Sequence, residues 1–409
     1  MRRIRWDEIR ALVPDVSPDQ RRAASIAAVA HALHDGYSDL IYIMLPLWQA
    51  QFGLDYALLA VLRGMYVGTM ASLQFPAGLV SERLGAAVVL AIGTALAGFG
   101  YCLAGASTGF GMLLAALFIG GLGASTQHPV ASALVARAFA GPRSLKALGT
   151  YNFAGDIGKM TVPAALSLML LTMGWRPALA LLGSVGFVLA AVIFFVTPRY
   201  QREASAPTRP KPGISAHPAP QSRAFPLLLT IGILDSATRM GFLLFLPFVL
   251  TQKGASVQIV GLALTLVFAG GAAGKLACTF IGARIGAMGT VWLTESLTAA
   301  GIVALIPLPL DAALALLPVI GIALNGTSSV LYGSVPELVA PQWRGRALSV
   351  FYTATIGSGA IAPTLYGLVA DALGVWKALA LVAAMVLLTL PLAGLLRRAA
   401  AGGYGSEMA

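Results

Sequence analysis

Runs of about 20 mostly apolar residues recur along the whole of this chain, and each is long enough to cross the roughly 30 Å hydrocarbon core of a bilayer. They read as spanning helices. Twelve can be marked, at residues 24–50, 56–80, 86–106, 110–137, 147–172, 176–197, 225–251, 257–280, 288–309, 312–337, 347–371 and 375–396. Of the 409 residues 58% are apolar and 11% charged, whereas a soluble domain carries about 25% charged residues. That leaves too little polar surface to solvate the chain. The expected fold is an all-α membrane protein of twelve transmembrane helices.

Most connections between runs are short. The exception, 198–223, contains Pro207, Pro210, Pro212, Pro218 and Pro220 and reads as a solvated linker near the middle of the chain. Of the 27 Lys and Arg, 20 fall on one side of the alternating loops, three on the other (Arg176, Lys253 and Lys377), and four inside spans (Arg63, Lys159, Arg239 and Lys275). Cytoplasmic loops retain Lys and Arg, so both termini are expected in the cytoplasm, with the N-terminal segment kept as a tail. The net charge of +11 then reflects topology and anionic lipid headgroups, and a nucleic-acid partner is not expected. Cys102 and Cys278 lie in apolar runs with no CxxC and read as small packing residues, so no metal or other cofactor is implied.

The two halves resemble each other at an offset close to 200 residues. Leu45-Pro46 and Gly53 correspond to Leu246-Pro247 and Gly254, Arg83 and Gly85 to Arg284 and Gly286, and Ala147 and Pro163 to Ala347 and Pro363. With six spans on each side of the linker, this predicts a parallel repeat, 1–197 and 224–409, whose bundles enclose a site at mid-membrane and rock about it.

Nine formal charges sit inside spans, away from their ends: Asp35, Asp39, Arg63, Asp156, Lys159, Asp235, Arg239, Lys275 and Glu295. Facing lipid at about 2.5–3.5 kcal/mol each, they would cost on the order of 25 kcal/mol, more than the roughly 5–15 kcal/mol that stabilises a typical domain. Most must face a polar cavity or one another. His31, Asp35 and Asp39 are spaced i, i+4, i+8 on one helix face, with His34 beside them. A carboxylate beside an imidazole suits proton coupling, and His128 in span four joins these proton-coupling candidates. Asp39 lies nearer the outer end and is expected to be wetter.

Asn152, Asp156 and Lys159 form a second stripe, and Asp235 with Arg239 an i, i+4 pair. Arg63 and Lys275 have no opposite charge within four positions and need a partner from another helix or a ligand. Four cations in a central cavity would suit an anionic or zwitterionic substrate, with Gln127, Asn325 and Tyr332 as further polar lining. Glu295 is expected to make only a structural bond to a neighbour. No HExxH, Gly-x-Ser-x-Gly or nucleotide loop occurs, so an enzyme is not expected.

Gly78-Leu79-Val80-Ser81-Glu82-Arg83-Leu84-Gly85, between spans two and three, resembles the loop signature of the major facilitator superfamily, with a degenerate copy at Arg284 and Gly286. The resemblance implies that Gly78, Glu82, Arg83, Gly85 and Arg284 belong to a cytoplasmic gate. Ala30-His31-Ala32-Leu33-His34-Asp35, Leu45-Pro46-Leu47, Gly123-Ala124-Ser125-Thr126-Gln127-His128-Pro129 and Pro336-Glu337-Leu338 are similar to the fosmidomycin resistance protein group of drug exporters. What this implies is a monomeric inner-membrane transporter that exports a small anionic or amphiphilic compound, such as an antibiotic, against protons. Uptake of an organic anion or metabolite is the alternative, and a receptor that has lost transport a more distant one.

Overall fold

In the computed structural model, residues 16–139, 142–198, 224–340 and 343–404 are described. They form twelve long helices, with no strand among them. In chain order these are α1 (Pro18–Phe52), α2 (Tyr56–Leu84), α3 (Ala86–Gly105), α4 (Phe110–Ala138), α5 (Pro142–Met169), α6 (Trp175–Val196), α7 (Ala224–Gln252), α8 (257–285), α9 (287–305), α10 (Leu310–Glu337), α11 (Arg344–Leu373) and α12 (375–404, interrupted at Leu388). Residues 199–223, most of the expected linker, lie outside the described residues.

The helices coincide with the twelve apolar runs, and the differences at their ends have local causes. α1 begins six residues before the run because Ser17 and Gln20 form a reciprocal capping box, Gln20 N–H to Ser17 Oγ at 3.2 Å and Ser17 N–H to Gln20 Oε1 at 3.0 Å, with Pro18 in the first turn. α5 likewise begins on a proline, Pro142. Single left-handed glycines terminate matching helices in the two halves: Gly53 (φ 61°) and Gly254 (φ 89°) after α1 and α7, Gly85 (φ 88°) and Gly286 (φ 77°) after α2 and α8. A side chain at any of them would strain the backbone. The repeat seen in sequence is therefore a repeat of turn geometry.

Among the described residues, ten helices are long and apolar enough to cross a membrane by length and composition alone. The two long helices that fall short, α1 and α5, carry His31, His34, Asp35 and Asp39 and Asp156 and Lys159. They pack closely, Gly36 against Val162 and Gly158 against the backbone of Ala32, as small residues permit between membrane helices. The helices least suited to lipid are held against each other.

The two bundles share one apolar core at the face away from the termini, where Trp48, Tyr42 and Met44 of α1 and Phe242, Phe245 and Leu250 of α7 belong to a single cluster. Towards the terminal face the core divides. One cluster holds Ile26, Leu90, Leu134 and Ile193 of the first bundle, and another Leu228, Val291, Leu331 and Phe351 of the second. The molecule is closed at one face and parted at the other. The closed face is reinforced by backbone-level contacts between bundles. Gln258 Nε2 donates to Ser167 O (3.2 Å), Gly367 lies against the backbone of Tyr56 and Ala57, and Asp371 accepts from the N–H groups of Tyr56 (2.7 Å) and Ala57 (3.1 Å), capping α2 from α11.

Candidate functional site

The polar side chains meet where the shared core ends. Asp35 of α1 is the hub: Lys159 Nζ of α5 is 3.3 Å from it, His31 Nε2 3.4 Å and His128 Nε2 of α4 3.9 Å. Three separate features aim these groups. His31 Nδ1 lies 2.8 Å from Tyr151 O, and a carbonyl only accepts, so Nδ1 carries the hydrogen; the ring also stacks on Tyr151 at 4.1 Å. Nε2 is then left facing Asp35, with no hydrogen-bond partner of its own. His128 is turned inward by a π-helical turn at Gln127–Ala131, where Pro129 lacks the N–H that a regular turn needs. Gly155 supplies the space, since a methyl there would sit 2.7 Å from both Asp35 Oδ2 and His31 Cε1. The ligand atoms of His31, Asp35 and His128 lie within 4.8 Å of one another, yet the Lys159 ammonium already supplies the positive charge a metal would bring.

Several of the remaining charges find partners on other helices. Asp156 pairs not with Lys159 on its own helix but with Lys275 of α8, at 2.6 and 2.8 Å, an ion pair between the two bundles. Arg63 finds Asp39 (3.4 Å) and Ser38 Oγ (3.2 Å), with its guanidinium 4.9 Å from the centre of the Tyr42 ring. Asp39 is 6% exposed, so the expectation that it is wet is wrong: α2 and Tyr42 cover it. Arg63 is equally buried, and its Nε and Nη1 have no partner. No ion pair within 4.0 Å joins Asp235 to Arg239 among the described residues; Arg239 donates to Ser328 Oγ (3.3 Å) instead.

Several candidates are not brought to the hub. His34 turns towards α3, with Nε2 3.0 Å from Thr94 Oγ1. Gln127 is buried behind α1, its Nε2 3.5 Å from Ala27 O. Asn152 is exposed and joins none of these contacts. Asn325 bonds back to Gly321 O (3.2 Å), and Tyr332 OH meets Thr355 Oγ1 (2.9 Å). At the parted face Glu82, Arg83, Gly85 and Arg284 are exposed, and Gly78 lies against Pro129. Sequence reasoning missed Ser38, Tyr42, Tyr151, Gly155 and Asp371. The spacing of Tyr151, Gly155 and Lys159 along one face of α5 was the available signal for two of them.

An apolar cleft of about 1330 Å³ opens between α2, α4 and α11. It is lined by residues such as Met65, Phe75, Phe118, Tyr352 and Leu365, and reaches Pro129, the neighbour of His128.

The family model of the Major Facilitator Superfamily matches residues 27–228. The chain is 25% identical over 354 residues to the fosmidomycin resistance protein of Escherichia coli, covering 84% of this chain and 85% of that protein. It is 26% identical over 166 residues to an uncharacterised MFS-type transporter of Mycobacterium tuberculosis, a match spanning 40% of this chain and only 29% of that longer protein. In fold it is similar to a bacterial homologue of the human lysosomal transporter Spinster, solved in an inward-facing and occupied conformation, with a TM-score of 0.78 at 14% identity over 94% of this chain and 98% of the other. Twelve helices, ten of them long and apolar enough to cross a membrane among the described residues, describe a multi-pass membrane protein. The match of the family model to the first half of the chain, together with these relatives, supports a transporter of the major facilitator kind that resembles drug exporters, rather than an enzyme.

Proposed function

We propose that this protein couples the movement of a small anionic or amphiphilic compound, such as an antibiotic, to protons by alternating access, exporting it across the bacterial inner membrane. The observation that carries the reading is the Asp35 hub, where one carboxylate meets two imidazoles and an ammonium at the edge of the parted face. With the cation-rich loops in the cytoplasm, that face is cytoplasmic and the site is loaded from within. The E. coli relative's name supports export. Protons reach Asp35 and His31 Nε2, and the substrate's anionic group engages Lys159, Lys275 or Arg239. Its apolar part occupies the cleft between α2 and α11.

The pairing at Asp35 ties direction to substrate chemistry. A substrate whose cationic or hydrogen-bond-donating group takes Asp35 competes with the proton, and competition at one site gives exchange. A simple anion instead takes Lys159, and a proton on Asp35 releases Lys159 for it. Binding that is mutually favourable gives co-transport, because coupling between two ligands is reciprocal. The Asp35–Lys159 contact thus favours proton-coupled uptake as the second reading where the substrate is a plain anion.

Flux in inside-out vesicles tests this. Accumulation of an amphiphilic or zwitterionic antibiotic driven by an inside-acid gradient is the expected result. Accumulation of plain anions in right-side-out vesicles under an outside-acid gradient favours uptake, and gradient-independent movement in both contradicts proton coupling.

A further inference from the structure

The bundles meet along two seams, and the seams are chemically unlike. Between α5 and α8 polar groups join from the closed face to the level of the hub: Gln258 Nε2 donates to Ser167 O, Thr265 Oγ1 donates to Met160 O (3.1 Å), and Lys275 pairs with Asp156. From Gln258 to Lys275 this covers about 25 Å of helix. Between α2 and α11 the close contacts stop sooner. Asp371 and Gly367 hold Tyr56 and Ala57, and Gly64 packs on the carbonyl of Ala360, where a methyl would lie 2.6 Å from the oxygen. From Asp371 to Ala360 is about 16 Å, and past Ala360 the seam gives way to the apolar cleft.

One rim of that cleft faces lipid. Ile361, Leu365 and Leu368 recur at i, i+4 and i+7 on α11 and are 64%, 59% and 56% exposed, so they form one stripe. The stripe runs on to Leu368, beside the Gly367 at which the bundles touch, and is still uncovered there. It therefore lies on the outer flank of the molecule and not between the bundles. Phe75, also exposed, stands on the α2 wall. The inner end is lined by Thr353, Gly357 and Pro129, and Pro129 adjoins His128, whose Nε2 approaches Asp35. The cleft thus joins the lipid flank to the hub. At about 1330 Å³ it exceeds the roughly 300–1,000 Å³ of a typical ligand pocket. Arg344 and Arg346, both exposed, begin α11 one turn before Leu348 and Ser349 enter the lining. In the orientation given by the cation-rich loops they stand where anionic headgroups lie.

We propose that the α2–α11 cleft is a side entrance from the cytoplasmic leaflet, which takes the alkyl chain of an anionic, membrane-dissolved amphiphile while Arg344 and Arg346 attract its head. A compound with a long chain resides in the leaflet and not in the cytosol, because each methylene it buries there favours the membrane. Its chain passes between α2 and α11 towards Thr353 and Gly357 without leaving apolar surroundings. The α5–α8 seam, crossed by an ion pair and two hydrogen bonds, offers no equivalent route. Occupancy of the cleft stands on its shape and lining, whereas delivery to the Asp35 hub rests on the transport reading above.

The test is photolabelling of the full chain in phosphatidylcholine vesicles, without any gradient, by a long-chain alkyl phosphate that carries a diazirine at the end of its chain, with adducts located by mass spectrometry. The expected result is adducts on Thr353, Ile356 or Pro129 at the inner end of the cleft, reduced several-fold in Gly357→Trp and kept in Gly149→Trp. No neighbouring atom lies within 4 Å of a methyl built at either glycine, and melting temperatures report that the variants fold. Should Gly357→Trp not fold, Ser72→Trp, exposed on the opposite wall, narrows the same space. Adducts confined to Phe75, Ile361 and Leu365, which any bilayer lipid touches, overturn the proposal. Inner adducts that the folded variant leaves unchanged, or equal adducts along the α5–α8 seam, overturn it too. Labelling needs no flux: inner adducts without gradient-driven transport sink the transport reading alone, and proton-coupled transport with adducts only at the rim sinks the entrance alone.

Discussion

Asp371→Ala should shift the molecule away from the conformation described here. Asp371 sits at the end of α11 and caps the first turn of α2, accepting from the N–H groups of Tyr56 and Ala57. Asp55, the residue in position to cap α2 from its own chain segment, makes no side-chain cap bond. Loss of a helix N-cap costs about 1 kcal/mol, and the charge at the positive end of the helix dipole adds roughly 0.3–1 kcal/mol. The site is exposed to water, which keeps the total near the lower end, about 1–2 kcal/mol. The contact exists only while the two bundles meet at this face, so under the proposed alternating access its loss falls on one of the two states. One to two kcal/mol is a population shift of about 5- to 30-fold. Spin labels introduced at Gln51 and Thr251, near the closed face, and at Leu145 and Ile285, near the parted face, read both ends by pulsed dipolar spectroscopy. The variant should gain long distances at the first pair and short distances at the second, with Asp371→Asn intermediate. Unchanged distributions, or a wider gap at Leu145 and Ile285, would refute the idea that Asp371 latches the bundles.

Three further outcomes follow from contacts at the centre. Gly155→Ala, which puts a methyl 2.7 Å from Asp35 and His31, should abolish gradient-driven flux, while Gly149→Ala, in open space, leaves it intact; equal flux in the two would remove Gly155 from the site. Arg63→Ala should act first on stability, because it leaves Asp39 buried without its cation, a loss of about 3–5 kcal/mol; differential scanning fluorimetry should show a large drop that Asp39→Asn in the same chain partly restores. A double-mutant cycle on Asp156→Asn and Lys275→Met should give a coupling above the ~1 kcal/mol of an exposed pair and below the buried limit, since the Lys275 side chain is 41% exposed. A coupling of zero would show that the inter-bundle pair does not hold the two halves together.

The helices were legible because each run is about as long as a bilayer is thick, and a period that long leaves little ambiguity. Helix ends were less so, since they depend on devices one or two residues long, such as the Ser17–Gln20 capping box or Pro142. At the centre, the residue types were readable but their partners were not. Asp156 and Lys159 share a stripe on α5, yet each pairs across space, Lys159 with Asp35 and Asp156 with Lys275 119 residues away. Local spacing decides which side chains share a face, and the neighbouring helix decides what that face meets. His34 shows the converse: it adjoins Asp35 in sequence but projects from a different side of α1, to Thr94. Asp371 looked like one more acidic residue at a helix end, because nothing local signals that the first turn of α2 stands beside it.

The central claim is that proton and substrate movements are linked through Asp35. Proteoliposomes holding a pH-sensitive dye, loaded with a substrate gradient and no imposed pH gradient, read that linkage directly. In wild type the substrate gradient should drive a proton flux, and Asp35→Asn should lose that flux while still exchanging labelled for unlabelled substrate. Substrate-driven proton movement of undiminished size in Asp35→Asn, or substrate movement in wild type with no proton movement at all, would contradict it.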